Sequence, residues 1–173
     1  LDLAISPKKV SQMGLCARQV VADKCNGTKR AGELAINEVL KDRSLILRTS
    51  WVYGPSGKNF LNTMLNLHRE RSADKDPIDV VVDQIGCPTN TLGLAKVCWK
   101  IIYLASCGQE ALNSRILHWS DAGVASWYDF AVAIGEIGVQ LGLLQEAALV
   151  RPIKTTDFPR PSQRPGFSLL DWS

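Results

Sequence analysis

An α/β fold with a largely parallel sheet is what this sequence predicts, and two observations predict it. Short apolar runs, Leu45-Ile46-Leu47 and the β-branched stretch 78–82, have the length and composition of buried strands. They alternate with longer stretches whose apolar residues recur at helical spacing. Strands and helices in alternation give a parallel sheet with crossover helices. At 173 residues the chain is one domain or a large piece of one. Its 46% hydrophobic content fills an ordinary core.

Residues 1–24 have weak periodicity and no motif. They stay unassigned, as a loop-rich arm or as sequence altered by a reading-frame error upstream. The spacing predicts a helix over 28–42, with Ala31, Ala35, Val39 and Leu40 close to one face and Glu33, Glu38 and Lys41 elsewhere. Gly32 weakens that helix but permits close packing. Residues 44–49 read as a strand, and 50–58, with two glycines and a proline, as a loop. Asn59 is a good N-cap for a helix reaching about Arg71, striped by Phe60, Leu61, Met64 and Leu65. Residues 78–82 form a strand and 84–90 a loop. A helix over 91–106 places Ala95, Cys98, Ile102 and Ala105 on one side, and 115–120 is a short strand. Ser126 and Asp129 make a capping box that opens a helix striped by Trp127, Phe130, Ala131, Ile134 and Leu141. After Val150, Pro152, Pro159, Pro161 and Pro165 forbid long helices.

Composition excludes several function classes. The net charge is +3 with acids and bases interspersed, which leaves no basic stripe for nucleic acid. No apolar run is long enough for a membrane span, because Lys100 interrupts 97–105. Residues 1–6 are too short for the apolar region of a signal peptide. Five cysteines, an odd number without any Cys-x-x-Cys pair, argue against a disulfide framework or a zinc site. Reduced thiols in a cytoplasmic protein are the simpler expectation. His68 and His118 have no partner at metal or triad spacing and read as structural. The stretch 54–58 lacks the spacing of a phosphate loop. In open parallel sheets ligands bind beyond the carboxyl ends of strands, which directs the search for a site to the loop 50–58.

Three strings narrow the reading. Asn26-Gly27-Thr28-Lys29-Arg30-Ala31-Gly32-Glu33 is followed by Arg48-Thr49-Ser50-Trp51-Val52-Tyr53-Gly54 and then by Asp83-Gln84-Ile85-Gly86-Cys87-Pro88-Thr89. Ser126-Trp127-Tyr128-Asp129-Phe130-Ala131, Arg151-Pro152-Ile153 and the Pro/Arg segment from Pro159 through Arg164-Pro165 to Asp171 add to them. Together, over residues 27–171, they resemble the dTDP-4-dehydrorhamnose reductase family of extended short-chain dehydrogenases. The resemblance implies a Rossmann-like fold with helices on both faces of the sheet and a small C-terminal substrate-binding lobe. Residues 25–173 would be the C-terminal part of an NAD(P)-binding reductase. The N-terminal half of the family fold, with its Gly-x-x-Gly-x-x-Gly loop and catalytic Ser/Thr, has no counterpart in the sequence. The family reduces dTDP-4-dehydro-L-rhamnose with NADPH or NADH to dTDP-L-rhamnose, a precursor of cell-surface polysaccharide. A dTDP-sugar partner and a homodimer are the implied associations.

The same resemblance assigns roles. Lys29 matches the lysine of the family's Tyr-x-x-x-Lys pair, which holds the cofactor ribose and lowers the tyrosine pKa so that it can pass a proton. Cys25 stands where the tyrosine is expected, and its side chain is several ångströms shorter than a phenol. Ser50 is expected on the cofactor side and Trp51 against the deoxysugar. Gln84 and Thr89 are expected to present polar groups to the nucleotide, and Arg164 to pair with a phosphate. Read singly, Trp51 is also explained as a core tryptophan, Gln84 and Thr89 as turn residues, and Arg164 as solvated. With Cys25 and no glycine-rich loop, the isolated chain is expected to be inactive. The alternative is a non-catalytic sugar-nucleotide-binding or regulatory module of the same fold.

Overall fold

The computed structural model describes residues 20–21, 27–74, 76–107, 115–158 and 164–170. The elements run β1 (Val20–Val21), α1 (Gly27–Leu40), β2 (Ile46–Thr49), β3 (Val52–Tyr53), α2 (Phe60–Asp74), β4 (Ile78–Val81), β5 (Ile85–Gly86), β6 (Thr89–Asn90), α3 (Thr91–Ser106), β7 (Ile116–His118), β8 (Ala125–Ser126), α4 (Trp127–Gln140) and β9 (Val150–Ile153). Strands β1, β2 and β7 form a three-stranded parallel sheet in that order. Two further parallel pairs are β3 with β6 and β4 with β9, and β5 with β8 is antiparallel. The fold is α/β, mostly parallel, with helices on both faces, as the alternation predicts.

The apolar core joins α2, α4, β4 and β9 through Met64, Ile78, Val80, Ala131, Ile134, Ala148 and Val150. His68 is sealed inside it at 1% exposure, and its Nε2–H donates to the Ala131 carbonyl at 3.0 Å. A carbonyl only accepts, so this histidine carries its proton on Nε2. Gly135 is what lets α4 come this close. A Cβ there would lie 2.7 Å from His68 Cε1. The capping box of Ser126 and Asp129 forms as predicted, and so does the Asn59 cap, whose Oδ1 accepts from the Asn62 N–H at 3.1 Å.

Two helices bury other faces than the spacing predicts. In α1, Leu34 and Val39 are 57% and 78% exposed, whereas Glu33 is buried. Arg48 on β2 draws Glu33 inward with a two-pronged ion pair, Nε to Oε1 at 2.9 Å and the guanidinium NH2 to Oε2 at 2.7 Å. Glu33 thus shares the inward face of α1 with the half-buried Ile36 and Leu40. In α3 the buried residue is Leu94, while Ala95 and Ala105 face solvent with Leu92, Trp99 and Tyr103. Two more differences are local. The expected loop 84–90 contains the short strands β5 and β6, and Val20–Val21, inside the unassigned arm, pairs with Arg48 and Thr49. Strands this short are fixed by partners far along the chain, and no local pattern announces them.

Candidate functional site

The site is built where β2 ends. Trp51 takes φ +46°, a left-handed conformation that a bulky residue rarely adopts. Holding it costs about 1–3 kcal/mol, and such residues cluster at functional sites. Two sets of contacts offset that cost. The Trp51 carbonyl accepts from the Thr89 N–H at 3.1 Å, which ties the turn to β6. The indole stacks on Trp127, the first residue of α4, with centroids 3.6 Å apart and planes 7° from parallel. Phe60 packs on Trp127 in turn, at 4.6 Å and 50°.

The second face of Trp51 lies on the backbone of β5. A Cβ at Gly86 would sit 2.6 Å from Nε1 and 2.8 Å from Cζ2 of Trp51, and nearer still to Cε2 between them. That pattern places Gly86 over the ring face, not at its edge. The face opposite must then be the one that meets Trp127. Glycine is required here by this close approach. Trp51 is sandwiched, and only its rim remains for a ligand.

A segment near the C-terminus closes the site. The Ile85 N–H donates to the Gly166 carbonyl at 2.8 Å, and the Ser168 N–H and Oγ donate to the Ile85 carbonyl at 2.9 and 3.0 Å. Strand-like pairing thus straps residues 166–168 along β5. The result is a cleft of about 280 Å³ lined by Trp51, Val52, Gln84, Trp127, Arg164, Pro165 and Ser168. Gln84 is held by Nε2 donating to Thr155 Oγ1 at 3.1 Å. Thr155 donates its hydroxyl to Asp83 at 2.6 Å. That hydroxyl, with the Thr155 backbone N–H, holds the Asp83 carboxyl below its usual range. Arg164 is exposed and has no hydrogen-bond or ion-pair partner among the described residues. The cleft therefore offers an aromatic rim, an amide, a hydroxyl and a cation without a partner among the described residues.

Three of the residues singled out in the sequence, Trp51, Gln84 and Arg164, meet in this cleft. Ser50 and Thr89 are not among the residues that line it. Ser50 is 3% exposed and Thr89 0%, and both hydroxyls donate to the Cys87 carbonyl, at 3.0 and 3.4 Å. Their protons serve the turn and are closed off from any ligand in this conformation. Lys29 lies in the first turn of α1, and Cys25 falls outside the described residues. A nicotinamide dinucleotide would call on Lys29 and Ser50. Of these, the Ser50 hydroxyl is spent on the Cys87 carbonyl in this structure. Trp127, Val52, Pro165 and Ser168 were not foreseen as site residues. The Ser126–Ala131 string was the available signal for Trp127, but its helical spacing reads as core. Among the described residues no cluster of His, Cys, Asp and Glu could hold a metal ion, and no helix is long and apolar enough to cross a membrane.

Comparison with known proteins adds independent findings. A family model described as the RmlD substrate binding domain matches residues 25–173. The dTDP-4-dehydrorhamnose reductase of Aggregatibacter actinomycetemcomitans is 41% identical over 132 residues, which are 76% of this chain and 43% of that protein. The spore coat polysaccharide biosynthesis protein SpsK of Bacillus subtilis is 38% identical, over 83% of this chain and 44% of its own length. Among solved structures, the dTDP-4-dehydrorhamnose reductase of Bacillus anthracis in complex with NADP superposes with a TM-score of 0.68 at 33% identity. It covers 83% of this chain and 45% of that one. The chain thus spans less than half the length of these relatives.

Proposed function

The chain belongs to the RmlD substrate-binding domain family, and from that premise we propose that it is the sugar-nucleotide-binding portion of a dTDP-4-dehydrorhamnose reductase. The observation that carries the reading is the convergence of the Trp51–Trp127 pair, Gln84 and Arg164, which has no partner among the described residues, on one cleft. A guanidinium suits a diphosphate, and an aromatic rim with an amide suits a deoxysugar. At about 280 Å³ the cleft lies just under the roughly 300–1,000 Å³ of pockets that enclose a drug-sized ligand. It fits the sugar and its neighbouring phosphate, with the thymidine extending beyond it.

The reaction belongs to the longer protein. There NADPH or NADH would deliver hydride to dTDP-4-dehydro-L-rhamnose, giving dTDP-L-rhamnose for polysaccharide synthesis. This chain alone binds the sugar nucleotide without reducing it. Cys25 is too short to replace a phenolic acid, whose loss typically lowers a rate by about 10²–10⁴-fold. The closed-in Ser50, and a cysteine at position 25 of the sequence, also favour a second reading, a non-catalytic module of the same fold.

Calorimetric titration with dTDP and, separately, with NADPH tests the proposal. Saturable dTDP binding without NADPH binding is expected. Binding of neither would end the sugar-nucleotide reading. NADPH oxidation that depends on the keto sugar would overturn the claim of inactivity.

A further inference from the structure

We propose that Asp83 and Thr155 fix the polarity of the Gln84 amide, so that Gln84 Oε1 faces the ligand as an acceptor and selects a sugar bearing a hydroxyl there. The proposal rests on the sugar-nucleotide reading of the cleft. A threonine hydroxyl has one proton, and an ionised carboxylate only accepts. Thr155 Oγ1 gives its proton to Asp83 Oδ1 at 2.6 Å. The Thr155 backbone N–H donates to both oxygens of the same carboxylate, at 2.9 and 3.1 Å, and locks the pair in register. Thr155 Oγ1 then has only lone pairs to offer Gln84. The Gln84 atom 3.1 Å from it must be the nitrogen, Nε2.

The flipped amide would set Oε1 against Oγ1, acceptor against acceptor, beside a carboxylate. One rotamer of the amide is therefore excluded by a residue that does not touch the cleft. Gln84 is 8% exposed and lines the cleft, and its Oε1 is neither sealed in nor bonded among the described residues. Asp83 and Thr155 are positioning residues, acting through Gln84. The sequence string Asp83-Gln84 thereby acquires a division of labour: the glutamine contacts the ligand and the aspartate orients the glutamine.

The test uses the 173-residue chain and two readouts. The first is nuclear magnetic resonance of the Gln84 side-chain amide. One Nε2 proton should be protected from exchange in the wild type and in Thr155→Ser, which keeps the hydroxyl. Protection should vanish in Thr155→Val. It should vanish too in Asp83→Asn, where an amide can donate to Thr155 and release the hydroxyl proton toward Gln84. The second is the ratio of affinities for dTDP-L-rhamnose and dTDP. That ratio should fall about three- to tenfold in Thr155→Val and Asp83→Asn, the effect of one hydrogen bond, with dTDP affinity unchanged. Thr155→Ser should keep the ratio. An unprotected Gln84 amide in the wild type, or a ratio untouched by both substitutions, overturns the proposal. Binding of neither nucleotide overturns the functional reading and the sugar selection with it, while the amide protection still decides the polarity.

Discussion

Trp51 and Trp127 lie face to face, 3.6 Å between centroids and 7° from parallel, and Gly86 covers the opposite face of Trp51. The pair joins the end of β2 to the start of α4. It holds Trp51 at φ +46° and forms one wall of the cleft. A tryptophan in this position is a structural clamp that, on the proposed reading, offers its rim to the ligand, and its substitutions should show both effects.

Trp127→Ala removes the stack and its contact with Phe60. It should cost about 3 kcal/mol, the low end for a large aromatic because Trp127 is only partly buried. Urea unfolding followed by circular dichroism measures it. A loss under about 1 kcal/mol would mean that the stack does not hold Trp51 in place.

Gly86→Ala pushes a methyl group into the Trp51 indole. Overpacking of this kind costs about 1–3 kcal/mol. Trp51 should be displaced from Trp127, and the exciton signal of the two indoles in the far-ultraviolet dichroism should weaken. An unchanged signal at unchanged stability would refute the sandwich.

Arg164→Ala should leave stability within about 0.5 kcal/mol, because the side chain is exposed. Its effect should fall on dTDP affinity, weakened at least about tenfold by loss of a charge-assisted hydrogen bond. Arg164→Lys should recover only part of it, since an ammonium lacks the two-pronged geometry. Equal affinity in all three proteins would remove Arg164 from the site.

Glu33 titrates below the ordinary glutamate value of 4.5, chiefly because Arg48 hydrogen-bonds to its carboxylate. A depressed folded-state value means that this stabilisation is complete above the unfolded value. It is lost as pH falls through the lower, folded one. Glu33→Gln should cost about 2 kcal/mol at neutral pH, less than the 3–5 kcal/mol of a fully buried pair, because Arg48 reaches solvent. The variant should also lose less stability than the wild type as acid is added below the ordinary value. Parallel acid-unfolding curves for the two proteins would contradict this.

The order of strands and helices was legible because local rules decide it. The Ser126–Asp129 box and the Asn59 cap are complete within one helical turn, and both form. The rotation of α1 was not legible, since Glu33 turns inward for Arg48, a partner on another element. The same distance hid Trp127, whose spacing fits a core stripe. The burial of Ser50 and Thr89 was hidden for a related reason. Their hydroxyls converge on the Cys87 carbonyl only once β2 and β6 are brought together. Trp51, Gln84 and Arg164, each in a distinctive string, line one cleft.

The most direct test of the account is titration with dTDP-L-rhamnose while the indole N–H resonances are watched. Those of Trp51 and Trp127 should shift together and saturate at the affinity that calorimetry gives. Trp99, exposed on α3, should stay still. Saturable binding that leaves Trp51 and Trp127 unmoved, or no binding at all, would contradict the assignment of this cleft.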